Sequence, residues 1–168
     1  MEYEIVYSSR RTLSLNIKRG ALIVRAPFNA KKRDIERLIS DHRDWIDKHL
    51  AISRRKEDLY SSLGDDDIKR LKKLAKTVLP EKVKHFAEIM GINYGRITIT
   101  SARGRFGSCS SAGNIAFSYR LMLYPEEAID YVVVHELAHR REMNHSAAFY
   151  KIIASVLPDY KYRKALLK

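Results

Sequence analysis

The stretch Val132-Val133-Val134-His135-Glu136-Leu137-Ala138-His139 decides how this chain is read. His135 and His139 stand four residues apart, so on a helix their rings project from the same face one turn apart, where one ion can bridge them. Glu136 leaves the same turn on a neighbouring bearing. From there it can take a proton from a metal-activated water without itself being a ligand. Two imidazoles and a carboxylate on so apolar a helix are costly unless they have a partner, which separates this HExxH stretch from a chance match.

A catalytic zinc takes three protein ligands and keeps one position open. Downstream of His139 the candidates are Glu142, His145 and Asp159. A continuous helix would put residue 145 roughly 9 Å beyond His139 at about 1.5 Å per residue, too far for bonds of about 2 Å, so the helix must end before it. Asn144 tolerates the left-handed conformation that ends helices, and Ser146 can cap a new helix starting at Ala147. That turn swings His145 back onto the metal. Glu142 ranks below it, because three ligands from one helix would all approach the ion from one side. The expected site is therefore one zinc ion per chain held by His135, His139 and His145, with Glu136 as general base. Three imidazoles also accept other divalent metals.

Working outward, Pro125-Glu126-Glu127 opens the motif helix, since proline suits the first turn and the acids suit the positive end of the dipole. Upstream, residues 96–101, 106–110 and 115–119 are strand candidates around a turn containing Ala112-Gly113-Asn114. A helix carries Ile68, Leu71, Leu74, Ala75, Val78, Val83, Phe86, Ala87 and Met90, kinked or restarted at Pro80 and stopped by Gly91. Residues 54–67 lose the helical pattern and read as a linker. Before them, one amphipathic helix runs from Lys31 to at least Leu50, and residues 2–8, 12–18 and 21–24 form a small antiparallel sheet. The fold class is α+β, with a sheet-plus-helix subdomain over residues 1–60 and a second domain over residues 66–168.

The chain of 168 residues, 45% apolar and 31% charged, can bury a core without disulfides. No segment has the apolar length of a bilayer span, and no amino-terminal basic stretch leads into an apolar run, so a cytoplasmic location without membrane association is expected. The single Cys109 agrees with a reducing compartment. The net charge of +12 leaves nucleic acid as a second candidate partner, although the basic residues are spread over helix faces as on a solvated surface.

Rival readings are weaker. A Cys109 nucleophile leaves the second histidine and Glu136 unexplained; Cys109 reads better as a buried thiol. His42, His49 and His85 have no carboxylate-rich or cysteine-rich neighbourhood and read as structural or surface residues. Phe149 and Tyr150 read as packing residues between the last helix and the metal helix. Tyr119, Arg120 and Asn114 are equal candidates for a second oxyanion donor. A basic nucleic-acid-associated module and a purely structural zinc site are the remaining alternatives.

The chain resembles the YgjP-like family of metal-dependent peptidases, zincins related to the SprT-like and WLM metallopeptidases. The likeness is carried by His135-Glu136-Leu137-Ala138-His139 with Asn144-His145-Ser146 and Phe149-Tyr150. It extends to Phe106-Gly107-Ser108-Cys109-Ser110-Ser111, Gly113-Asn114-Ile115 and Arg120-Leu121-Met122-Leu123, and in the first half to Ser9-Arg10-Arg11, Ala26-Pro27 and Trp45-Ile46. Phe106 stands where the family usually has tryptophan, and the stretch between Leu50 and Ile68 lacks an expected strand-forming segment. The resemblance implies a zincin catalytic domain with its motif helix under a small sheet, three histidine ligands, Glu136 in the catalytic role and a peptide or protein substrate. SprT-like and WLM relatives act on proteins attached to DNA, so the nucleic-acid reading and the peptidase reading can combine.

Overall fold

The computed structural model describes residues 2–168 and divides them into two units, one ending at Leu63 and the other spanning Gly64–Lys168. In the first, strands β1 (Tyr3–Ser8), β2 (Ser14–Lys18) and β3 (Ala21–Pro27) form a sheet of order β1-β3-β2. The β2–β3 hairpin is antiparallel and turns through Arg19 and Gly20, whose positive φ values of 52° and 74° are those a two-residue primed turn needs. The sheet is mixed rather than antiparallel as expected, because β1 pairs with β3 in parallel. Strand order follows burial: β3 brings Leu22, Val24 and Ala26 into the core and takes the centre, leaving the more exposed β1 and β2 at the edges.

The single amphipathic helix expected from Lys31 is two helices, α1 (Lys32–Asp41) and α2 (Arg43–Ser61). They part at His42, which leaves helical geometry at φ −115°, ψ 22°. Its ring Nδ1 lies 3.0 Å from the Leu38 carbonyl, the acceptor a continuing helix would offer to the backbone N–H of residue 42. The linker expected over residues 54–67 also contracts, since α2 continues to Ser61. Ile46, Leu50 and Tyr60 keep its buried stripe, while the intervening arginines and lysines are good helix formers that mask the period. These helices cover the sheet with a core of Leu22, Val24, Ala26, Ile35, Ile39, Ile46 and Leu50.

The second unit opens with α3 (Asp65–Met90), whose first turn carries Asp65, Asp66 and Asp67 and which runs through Pro80 as one element. Gly91 ends it in the left-handed region at φ 59°, ψ 44°. Strands β4 (Ile97–Thr100), β5 (Gly107–Cys109) and β6 (Ile115–Ser118) form a sheet of order β4-β6-β5, with β4 parallel and β5 antiparallel to β6. A 3-10 turn over Tyr119–Leu123 leads to α4 (Glu126–Ala138), followed by α5 (Ala147–Val156) and α6 (Tyr160–Ala165). Helix α4 is buried almost all round, which is why its sequence is apolar on every face rather than along one stripe. The fold is α+β, and among the described residues no helix is long and apolar enough to cross a membrane.

Candidate metal centre

Helix α4 presents His135 and Glu136 in its last turn, and His139 is the residue that caps it. The chain leaves the helix there, earlier than expected, and not through a left-handed Asn144: among the described non-glycine residues only Arg19 has positive φ. Short-range hydrogen bonds instead tighten the exit, Arg140 N–H donating to Leu137 O and Arg141 N–H to Ala138 O, each at 3.0 Å. The two arginines then tie the segment down. Arg140 donates to the carbonyls of Asn93 (3.2 Å) and Ser111 (2.9 Å), and Arg141 donates to the carbonyl of Met90. Gly113, at φ +85°, leaves room for this, because a Cβ there would lie 2.8 Å from the Arg140 guanidinium. Ser146 accepts from the Phe149 N–H at 3.3 Å and starts α5, as its position in the sequence suggests.

The result brings His135, His139 and His145 together, with one ring nitrogen of each inside a cluster no wider than 4.8 Å. The Nε2 atoms of His135 and His145 are 3.1 Å apart. Two nitrogens bound to one tetrahedral ion through bonds of 2.0–2.1 Å sit about 3.3 Å apart, so this spacing suits a shared cation. Two lone pairs at that distance otherwise repel unless a proton lies between them. The outward nitrogens are also occupied. His139 Nδ1 is 3.2 Å from the Glu142 carbonyl, which can only accept, so that nitrogen carries the hydrogen and Nε2 keeps its lone pair. His135 Nδ1 faces the Tyr131 hydroxyl at 3.4 Å. Burial, then the neighbouring His139, His145 and Lys164, pushes His135 down to about 3, and burial lowers His139 too, so both rings stay neutral as metal ligands must.

Phe149 is fully buried and forms the floor of the cluster, its ring centroid 4.9, 4.6 and 4.8 Å from those of His135, His139 and His145. It packs α5 onto α4 as the sequence suggests, whereas Tyr150 is only half-buried and lines a cavity. Glu142 contributes its backbone carbonyl to His139, and its carboxylate accepts from Asn144 N–H at 3.3 Å. Asp159 is paired with Arg163 at 2.8 Å.

Glu136 is 5% exposed, and this burial raises its carboxyl to about 7, with Arg105 pulling weakly the other way. It sits directly over strand β5. A Cβ on Gly107 would be 2.5 Å from Glu136 Oε1 and 2.7 Å from its Cγ. The contact was not legible in the sequence, although a glycine beginning a strand is a signal of close approach. Cys109, also on β5, is partly buried, and burial and the Glu136 charge raise its thiol pKa, which suits an inert side chain better than a nucleophile.

The other sequence candidates are engaged elsewhere. Tyr119 and Arg120 are buried, with Arg120 donating to Ser101 O at 2.6 Å, and Asn114 Oδ1 accepts from Arg96 N–H at 2.9 Å. His49 stacks on Trp45, and His85 meets Phe86 edge-on. Several basic residues pair with acids one turn away, among them Lys32 with Glu36, Arg43 with Asp47 and Arg70 with Asp67, as on a solvated helix face.

No curated protein matches the chain significantly. Among the solved structures similar to the chain are the metallopeptidase zymogens of Pyrococcus abyssi abylysin (22% identity, TM-score 0.48) and Methanocaldococcus jannaschii jannalysin (19%, 0.46). Each alignment covers 52% of this chain and 90% of the other. The sequence pattern of the YgjP-like metallopeptidase domain matches residues 11–65 and 66–168. With nearly its whole length matched, the chain belongs to the YgjP-like metallopeptidase family.

Proposed function

We propose that the chain is a zinc-dependent peptidase in which His135, His139 and His145 hold the ion and Glu136 is the general base. The observation that carries this reading is the convergence of three imidazole nitrogens within 4.8 Å, one helical residue away from a buried carboxylate. When bound, zinc supplies a positive charge that acidifies a water and polarises a peptide carbonyl.

Glu136 then accepts the water's proton at a carboxylate oxygen as the water oxygen bonds to the carbonyl carbon. As the C–N bond breaks, the same carboxyl passes the proton to the departing amine, so no covalent enzyme intermediate is needed. A carboxyl near 7 suits both transfers at neutral pH, and a cation in the histidine cluster would draw it lower and favour the basic form. The Glu142 carbonyl and the Tyr131 hydroxyl hold His139 and His135 by their Nδ1 atoms, keeping Nε2 turned inward. Strand β5 is an edge of its sheet and packs on α4, so an extended peptide added to it would run beside Glu136. Cys109, the only thiol, fits a reducing, cytoplasmic setting.

The test is a diverse peptide library incubated with zinc-loaded protein, with products identified by mass spectrometry beside a Glu136→Ala variant shown to retain metal. Cleavage is expected from the wild type, with at least a hundredfold loss in the variant, the order that removing a general base produces. Equal cleavage by both, or none by either from a loaded site, contradicts the reading.

A further inference from the structure

On the side of the histidine cluster built by α5 and α6 lies a cavity of about 330 Å³ lined by Tyr150, Tyr160, Lys161, Lys164, Ala165 and Lys168. It adjoins the proposed metal centre through Tyr150, whose ring centroid is 6.5 Å from that of His145. Tyr150 and Tyr160 stack at 5.8 Å with planes 23° apart, and Lys164 Nζ sits 5.6 Å from the Tyr150 ring centroid. The lining holds three lysines and no aspartate or glutamate side chain. The nearby carboxylates are already paired, Asp159 with Arg163 at 2.8 Å and Asp130 with Lys82 at 2.6 Å and Arg163 at 3.3 Å. Lys161 and Lys164 gathered around one concavity, with the nearby acidic side chains turned to other partners, leave a positive field beside the histidine cluster.

We propose that this cavity is a substrate subsite for a peptide carboxylate, bound by Lys161 and Lys164 while the stacked tyrosines wall the aliphatic part of the residue that carries it. The proposal rests on the peptidase reading for its role as a subsite. The carboxylate has two sources: an aspartate or glutamate side chain near the scissile bond, or the free carboxyl terminus of the substrate. The cavity has room for a glutamate side chain, whose methylenes its aromatic wall suits.

The experiment measures binding independently of turnover, using zinc-loaded Glu136→Gln protein and fluorescence anisotropy of labelled peptides. One set carries glutamate or glutamine at each position with an amidated terminus, and another is neutral with a free or amidated terminus. Acidic peptides are expected to bind about five- to tenfold tighter than their neutral counterparts at low salt, an advantage that shrinks as salt is added. Preference within the amidated set assigns the side chain, and preference only for the free terminus assigns the terminal carboxylate. The K161E/K164E double variant is expected to abolish the preference. K73E/K76E, an equal charge change on α3 outside the cavity lining, is expected to keep it. Absence of any preference, or a preference surviving K161E/K164E, overturns the proposal, as does binding of a short oligonucleotide through these lysines without discrimination among peptides. If the preference appears while the wild type cleaves nothing, the peptidase reading fails and the carboxylate site stands.

Discussion

The two units bury different kinds of chemistry. The core cluster of the unit ending at Leu63 is built of aliphatic side chains, from Leu22 and Val24 to Ile46 and Leu50, and Tyr60 is buried in the same unit. Among the described residues, the buried polar and charged side chains are Ser118, Arg120 and Glu136, all in the unit spanning Gly64–Lys168, which also holds the histidine cluster. A hydrophobic core stabilises by area and is indifferent to pH. A buried carboxyl and partly buried imidazoles stabilise nothing by burial; they make the second unit depend on proton or metal binding, and a fold that carries this cost without return is disfavoured. The contrast sets the unit that holds the proposed metal centre apart from the other.

The largest effect expected in stability comes from the first unit. Ile46→Ala, at a fully buried position, should cost roughly 3 kcal/mol, and by the same amount at about pH 5 and about pH 8. Denaturation followed through Trp45, the only tryptophan and the neighbour of Ile46, measures it. A strongly pH-dependent cost would break the comparison.

The second unit should behave in the opposite way when freed of metal. The folded pKa of Glu136, about 7, lies above the ordinary 4.5, so its protonated form is favoured by folding: the stabilisation is full below about pH 4.5 and is lost as pH rises through 7. Glu136→Gln removes that loss. The variant should match wild type near pH 4.5 and exceed it at about pH 8 by roughly 2 to 3 kcal/mol. His135 and His139, both lowered, lose stability in the other direction as pH falls below 6.5, but they are common to both proteins and cancel in the difference. Circular dichroism of chelator-treated protein across pH checks this; a difference that is constant with pH contradicts it.

Smaller still, Gly107→Ala should lower peptide hydrolysis about tenfold while zinc content holds, because the added methyl occupies the place of the Glu136 carboxylate. Unchanged turnover would mean that Glu136 tolerates displacement.

Much of this site was legible in the sequence because its spacing is local. His135, Glu136 and His139 lie within a helical turn and a half, and the geometric bar to reaching residue 145 on a continuous helix required a break between. How the break is made was not legible: the Arg140 and Arg141 anchors reach backbone carbonyls 47, 29 and 51 residues away in sequence, which no local pattern encodes. The same limit hid the parallel pairing of β1 with β3 and the approach of Gly107 to Glu136, both long-range contacts. The extension of α2 to Ser61 is hidden because charged helix formers mask apolar periodicity where only a few positions are buried, and the split at His42 is hidden because Ile35, Ile39, Ile46 and Leu50 keep helical spacing across it.

The central claim is that three imidazoles form one metal site, and X-ray absorption at the zinc edge tests it most directly on protein titrated to saturation, beside a His145→Ala variant. One zinc per chain is expected, with three histidine nitrogens at about 2.0–2.1 Å in the wild type and two in the variant. Substoichiometric zinc, sulfur in the coordination shell, or a spectrum unchanged by His145→Ala would contradict the account.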